Sequence, residues 1–372
     1  MHEHLFEDIL IINDTGALLY HWHPKIEKKE EKADLLSGFL TAIDNFAKVE
    51  RGEDIKSLKL RETLIIFEKS DENIQSLTFV ITSKNDELIE LLHSFIHDIK
   101  DRFTNIFSKE LNKKFDGEVT KFQEFDKYIK QIVFSHGLDI LDDAVRRIDN
   151  NEVLKSIILI EPKSGSNFFI HAKQYINKEK LSFLIPLIIN SGYLLYQNNL
   201  NEKLRWILIN TVQNENLLVE PRNRIIIVKQ YKLIKNFEED FLSLDFFNEK
   251  EKYIRKPKKL SERFEAVEWD SSIKQVYLVD LLGKVFYSKV FDSTYDCSDY
   301  IPETIGYLTS SKKISEEIYS RVLFNAAIGG EKIATICINF NNFALILIGN
   351  VNDFSDFASI QNLCIKIYRQ LI

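Results

Sequence analysis

Three times along this chain a short apolar run meets a turn containing glycine and resumes as a second apolar run. The copies are "ILIINDTGALLYHW" at 9–22, "SIILIEPKSGSNFFIHA" at 156–172 and "VYLVDLLGKVFYSK" at 276–289. Glycine accepts positive φ without steric cost, and side chains such as Asn13, Asp14 and Asp280 can bond their own backbone. Each segment is therefore expected to close as a β-hairpin. The first and third copies agree in detail, because Tyr20 and Tyr287 both stand four residues past the turn glycine. Hairpins require antiparallel neighbours, and helical segments between strand pairs can cover a sheet face, so the expected class is α+β.

The segments after each hairpin are also similar in kind. Leu35, Leu36, Phe39, Leu40, Ile43, Phe46 and Ala47 recur at helical spacing, with Asp34, Asp44 and Lys48 facing elsewhere. Strands are expected at Thr63–Phe67 and Leu77–Thr82, with a further one around Ile55–Leu60. A long helix from Asp86 to Phe107 and a shorter one carrying Phe125, Tyr128, Ile129, Ile132 and Val133 complete this section. The middle section continues with an apolar helix to Leu195, strands at 206–212 and 224–230, and a helix near Phe237–Leu244. The last section reads as helical stretches within Ser298–Ala327, strands at 332–340 and 343–350, and a helix from Phe354 to Leu371. Element order recurs but residues do not match, which excludes a short-period solenoid.

The expected organisation is a module at 1–135, a connector helix at 136–150, a module at 151–247, a Lys-rich linker at 248–269 and a module at 270–372. Each module is expected to be an antiparallel sheet of about five strands flanked by helices. A length of 372 residues accommodates two or three such cores. The net charge of −7 argues against general nucleic-acid binding, which needs clustered excess Lys and Arg. Cys297, Cys337 and Cys364 are too few for a disulfide framework and point to a reducing cytoplasm. The opening MHEHLFED lacks the pattern of a signal peptide, and Leu181–Tyr196 is shorter than a bilayer-spanning helix. The Lys250–Lys259 run suits peripheral contact with an anionic membrane or an acidic partner, and equally a solvated connector.

Several residue groups have the types that chemistry uses. His21 and His23 share one strand face, and His2 and His4 precede them, but no Cys or HExxH companion completes a zinc set. His93 and His97 stand at i, i+4 without the glutamate of a metalloprotease helix. Asp139, Asp142 and Asp143 read as a solvated helix, and "PKSGSN" at 162–167 lacks the spacing of a phosphate-binding loop. No catalytic residue, cofactor or metal is therefore expected.

"ILIINDTGALLYHW", "LLSGFLTAIDNFA", "LTFVITS" and the long helix ending at Phe107 together resemble a longin domain, of the roadblock and profilin-like superfamily. "FDGEVTKFQEFDKYI" at 115–129 is similar to the final helix region of longin proteins, archaeal ones included. Three such modules in one chain resemble the triple-longin subunits of eukaryotic Rab exchange factors. The resemblance implies a non-enzymatic platform binding a small Ras-like GTPase, as an exchange-factor subunit acting with a second longin or roadblock protein. Its alternative is a trafficking adaptor or self-assembling scaffold without exchange activity. It also implies a partner surface on the first helix and hairpin, at Trp22, Gly38, Phe39, Asp44 and Lys48. Helical periodicity alone would instead place Phe39 and Phe46 in the core.

Overall fold

The computed structural model describes residues 6–24, 30–70, 76–113, 115, 117–150, 152–232, 262–294, 297–340, 342–354 and 357–371. The chain forms two compact units, Met1–Asp143 and Ala144–Ile372.

The first unit opens with the expected hairpin, β1 (Phe6–Asn13) and β2 (Leu18–Trp22). At its turn Asn13 N donates to Ala17 O and Gly16 N to Asn13 O, both at 3.0 Å. The Asn13 amide oxygen accepts from Thr15 N at 3.1 Å and Ala17 N at 2.8 Å, and Gly16 sits at φ +84°. The turn is thus held by the side chain that opens it and released by the one residue free of Cβ strain. Helix α1 (Glu30–Arg51) comes next, then β3 (Ser57–Lys59), β4 (Leu64–Lys69), β5 (Leu77–Ser83), α2 (Ile89–Ile106), α3 (Ser108–Leu111) and α4 (Asp126–Ser135). Helix α5 (Leu138–Asp149), which carries Asp139, Asp142 and Asp143, runs across the boundary between the units.

The strands form one antiparallel sheet in the order β2-β1-β5-β4-β3. Both of its faces are covered. Ala33 and Leu40 of α1 pack on Leu10, Ile12, Ile65, Phe67 and Val80. Helix α2 contacts β4 and β5, and its Phe103 meets Phe79, Phe122 and Phe125 at ring distances of 6.0, 5.4 and 5.1 Å. A strand buried on both faces has no polar alternation, which explains the unbroken ILII of β1. The Tyr20 hydroxyl donates to Asp126 at 2.7 Å, joining the hairpin to α4.

The second unit contains β6 (Leu154–Ile160), β7 (Asn167–Ala172), α6 (Lys178–Tyr193), β8 (Trp206–Thr211), β9 (Glu215–Pro221) and β10 (Ile226–Lys232). It continues with β11 (Ile273–Asp280), β12 (Val285–Val290), α7 (Ile301–Ile314), β13 (Leu323–Gly329), β14 (Ile333–Phe340), β15 (Phe343–Asn350) and α8 (Phe357–Leu371). The separate sheets expected for 151–247 and 270–372 are in fact one ten-stranded sheet, β12-β11-β15-β14-β13-β8-β9-β10-β6-β7. Its halves meet at β8 and β13, which pair antiparallel with Ile209 opposite Ala326 and Ile207 opposite Ile328. Counted outward from that seam, each half repeats the strand order of the first unit. All three hairpins also shift register just before the turn, at Ile11/Ile12, Leu159/Ile160 and Leu278/Val279.

Two strands escape the sequence reading. β13, "LFNAAIG", falls where helix was expected, because Ala and Gly carry little β signal. The sheet interior selects those small residues. A Cβ at Gly329 would lie 2.3 Å from the Trp206 ring, so the neighbouring strand's indole occupies the space a side chain would need. β9, "ENLLVEP", lies beyond a tight turn in which Asn214 adopts φ +61°.

Helices α6 and α7 lie side by side and antiparallel above the seam. Ser191 and Ser310 hydroxyls are 3.3 Å apart, and the Lys180 ammonium is 2.7 Å from the Glu317 carboxylate just past the end of α7. A clasp closes the joint. The buried Glu202 carboxylate accepts the backbone N–H groups of Glu331, Lys332 and Ile333 at 3.1, 3.0 and 3.2 Å. Beside it the Tyr196 hydroxyl donates to Ile328 O at 2.8 Å. The expected helix near Phe237–Leu244, the Lys250–Lys259 run, His2 and His4 lie outside the described residues.

Candidate functional site

Helix α1 shows two different faces. Ala33, Ser37, Leu40 and Asp44 point inward at i, i+4, i+7 and i+11 and are buried. The Ser37 hydroxyl donates to Gly16 O at 2.8 Å, so the helix is pinned against the hairpin turn. Outward, Leu35 is 79% exposed, Phe39 51%, Phe46 68% and Val49 82%. Phe39 and Phe46 are therefore not core residues. The apolar positions of α1 span a wider arc than one sheet face can cover, and the inner row alone reaches the sheet. Gly38 is exposed as well, with nothing within 4 Å of where a Cβ would stand.

Of the anticipated partner residues, Gly38, Phe39 and Lys48 thus lie exposed on α1. Trp22 ends β2 opposite Ile9 and is half-buried. Asp44, expected to face away from the packed stripe, turns inward and is 8% exposed. Its carboxylate is 2.8 Å from the Lys69 ammonium, which also pairs with Asp54. Burial pulls the Lys69 pKa down, but hydrogen bonds to Asp44 and Asp54 more than offset this and leave it above the usual lysine value. The same contact holds the Asp54 carboxyl below its usual range.

Between the hairpin turn and α1 lies a pocket of about 180 Å³, lined by Asn13, Thr41, Asp44, Asn45, Lys48 and Lys69 among others. Asn13 Nδ2 and Asp44 Oδ1 are buried there without a protein hydrogen-bond partner. The Asn13 amide is oriented by the turn, so its Nδ2 is a fixed donor. A donor and an acceptor in so small a polar space suit bridging water or a compact polar group. Sequence reading found Asp44 and Lys48 but missed Lys69, which only strand pairing brings to α1. It also missed the outward positions of Leu35 and Val49, which needed the helix's rotation about its axis.

The other singled-out groups are bound up in structure. His21 Nε2 is 2.7 Å from Asp8, and His97 Nδ1 is 2.7 Å from Glu68, a carboxylate shared with Lys100 at 2.9 Å. Glu161 accepts the backbone N–H groups of Lys163 at 3.0 Å and Ser164 at 2.5 Å, so those N–H groups of "PKSGSN" are already committed. Among the described residues no three His, Cys, Asp or Glu side chains are grouped to hold a metal ion, and no helix is long and apolar enough to cross a membrane.

No family profile matches the sequence, and no curated protein matches it. Among solved structures, MglB of Myxococcus xanthus aligns at 18% identity over 38% of this chain and 97% of that chain, with a TM-score of 0.24. The extracellular domain of a protein described as a histidine kinase, vpHK1S-Z8, aligns at 11% identity over 72% and 94% of the respective chains, TM-score 0.17. An uncharacterized protein of Mycobacterium tuberculosis aligns at 10% identity over 95% and 99%, TM-score 0.15.

Proposed function

We propose that the chain is a tandem of three longin-like modules that binds a small Ras-like GTPase, as a regulator or platform and in its sharpest form as an exchange-factor subunit. The observation carrying this reading is the strand order 2-1-5-4-3 behind a hairpin that shifts register before its turn, found once in the first unit and twice in the second. It accords with the longin resemblance of the sequence. Such a regulator needs no nucleophile. It acts by binding the nucleotide-free, opened conformation of the GTPase more tightly than the nucleotide-bound one, which shifts the population toward release. The exposed α1 face carries aromatic Phe39 and Phe46, a residue type enriched at protein interfaces, while Lys48 lies round the helix beside the Asp44 pocket.

The test is release of a fluorescent guanine nucleotide from small GTPases of the same cell, with binding measured alongside for nucleotide-free, GDP and GTP forms. Faster release, or binding that depends on the nucleotide state, is the expected result. Failure of every such GTPase to bind in any state refutes the proposal. The seam between β8 and β13 favours one second reading, an adaptor or scaffold without exchange activity, because it displays this fold pairing edge to edge. State-independent binding with unchanged release would select that reading.

A further inference from the structure

We infer that the pocket between the first hairpin turn and α1 is a binding site for a small α-amino acid, held as a zwitterion by Asp44, Asn13 and Lys48. The pocket has a volume of about 180 Å³. Water takes up ~30 Å³ per molecule in the liquid, so there is room for roughly six non-hydrogen atoms. Glycine, alanine and serine are of about that size.

The fold does not require a polar space here, because the first half of the second unit has the same corner. Ser37 and Thr41 lie against the hairpin glycine Gly16, and Ser182 and Pro186, spaced alike, lie against Gly165. Seven residues on from Ser37 and from Ser182, Asp44 matches Ile189. In the sheets, Ile12 and Ile160 each follow the register shift before the turn. Next to Ile12 come Thr78 and then Lys69, and next to Ile160 come Ile226 and then Pro221. Ile189 and Ile226 are buried in a packed apolar core. Where the second unit fills the corner with hydrocarbon, the first sets a carboxylate, an ammonium and a hydroxyl around an open space. A buried polar atom left without a partner costs stability, a cost the apolar version avoids.

The unpaired atoms define the guest. Asn13 is 3% exposed and Asp44 8%, and Asn13 Nδ2 and Asp44 Oδ1 have no protein hydrogen-bond partner. Asn13 Oδ1 is committed to Thr15 N and Ala17 N, which leaves Nδ2 to donate. Asp44 Oδ2 is committed to Lys69, which leaves Oδ1 to accept. Lys48, an exposed residue of the lining, adds a positive charge. An ammonium group suits the carboxylate oxygen, and a carboxylate suits the amide N–H and the Lys48 ammonium. A simple anion would meet Asp44, and a simple cation would meet Lys48 and Lys69. The lining carries Asp14 and Asp44 against Lys48 and Lys69, a balance that suits a guest with both signs and no net charge.

The experiment is equilibrium dialysis of the purified full chain against radiolabelled glycine, alanine and serine. Neither GTPase nor nucleotide is present, so failure of the GTPase proposal leaves its outcome intact. Saturable binding of at least one of the three is expected. The N-acetyl derivative of the bound amino acid lacks the ammonium, its amide lacks the carboxylate and acetamide lacks both. Each should compete at least roughly tenfold more weakly, as loss of a charged hydrogen-bonding group does. Lys48→Met, at an exposed position, should weaken binding by roughly tenfold while thermal unfolding of the unliganded chain stays unchanged. Thr78→Ile copies Ile226 and should fill the space, abolishing binding in a folded chain. No saturable binding of any of the three at millimolar concentration, as for a pocket that holds only water, overturns the proposal. So does binding indifferent to both Lys48→Met and Thr78→Ile, or acetamide competing as well as the amino acid.

Discussion

Replacing Glu202 with alanine removes the acceptor for three backbone N–H groups at the turn between β13 and β14. Glu202 belongs to the segment entering β8, so this one carboxylate ties the half containing β8 to the tip of a hairpin in the other half. A hydrogen bond to a charged group contributes a net ~1.5–3 kcal/mol, and a buried donor left unsatisfied costs a similar amount. The three bonds share one oxygen and are not additive, while Glu202 Oε1 has no protein partner to offset its desolvation. A net loss of about 3 kcal/mol, within a range of about 2–5, is expected for Glu202→Ala. Glu202→Gln keeps an acceptor oxygen without the charge and should lose roughly half as much. Urea unfolding of the full chain reads the loss as a lower midpoint at unchanged slope for the second unit. Hydrogen exchange locates it, because the amides of Glu331, Lys332 and Ile333 should lose protection selectively. A loss under about 1 kcal/mol, or full protection retained at those amides, would refute the idea that the carboxylate holds the joint.

Three further outcomes can be checked. On α1, Leu40→Ala should cost about 2–5 kcal/mol, because Leu40 is 1% exposed in the core, whereas Phe46→Ala should stay within about 0.5 kcal/mol for the monomer. Thermal or urea unfolding compares the two, and equal losses would mean that the helix rotation is wrong. Cys297, Cys337 and Cys364 are buried, and burial pushes the Cys337 thiol up to about 12, so none should react with a thiol reagent at neutral pH until the chain unfolds. Lys69→Met should flatten the pH dependence of stability. The Asp54 carboxyl is lowered in the fold, so its contribution is present above the unfolded carboxylate pKa of ~3.9 and fades as pH falls through the folded value. The Lys69 pKa is raised, so its contribution is full below ~10.4 and fades as pH rises through the folded value. With Asp54 half exposed, the acid-side effect should be under about 1 kcal/mol.

The hairpins were legible in the sequence because their information is local. Gly16, Gly165 and Gly283 all have positive φ, and Asn13, Glu161 and Asp280 all bond the turn they open. The α+β class and most strands derive from the same short-range signals, and from them the order of elements. Three things were decided only by tertiary structure. Pairing of β8 with β13, whose pairs lie more than a hundred residues apart in sequence, made one sheet of ten strands where two were expected. The rotation of α1 about its axis put Asp44 inside and Phe39 outside, because the sheet needed only one row from a helix rich in apolar residues. The joining of Lys69 to Asp44 depended on strand register. A turn is set by the few residues within it, whereas a seam, a buried carboxylate or an exposed phenylalanine depends on which distant surface packs against it, and no local pattern encodes that.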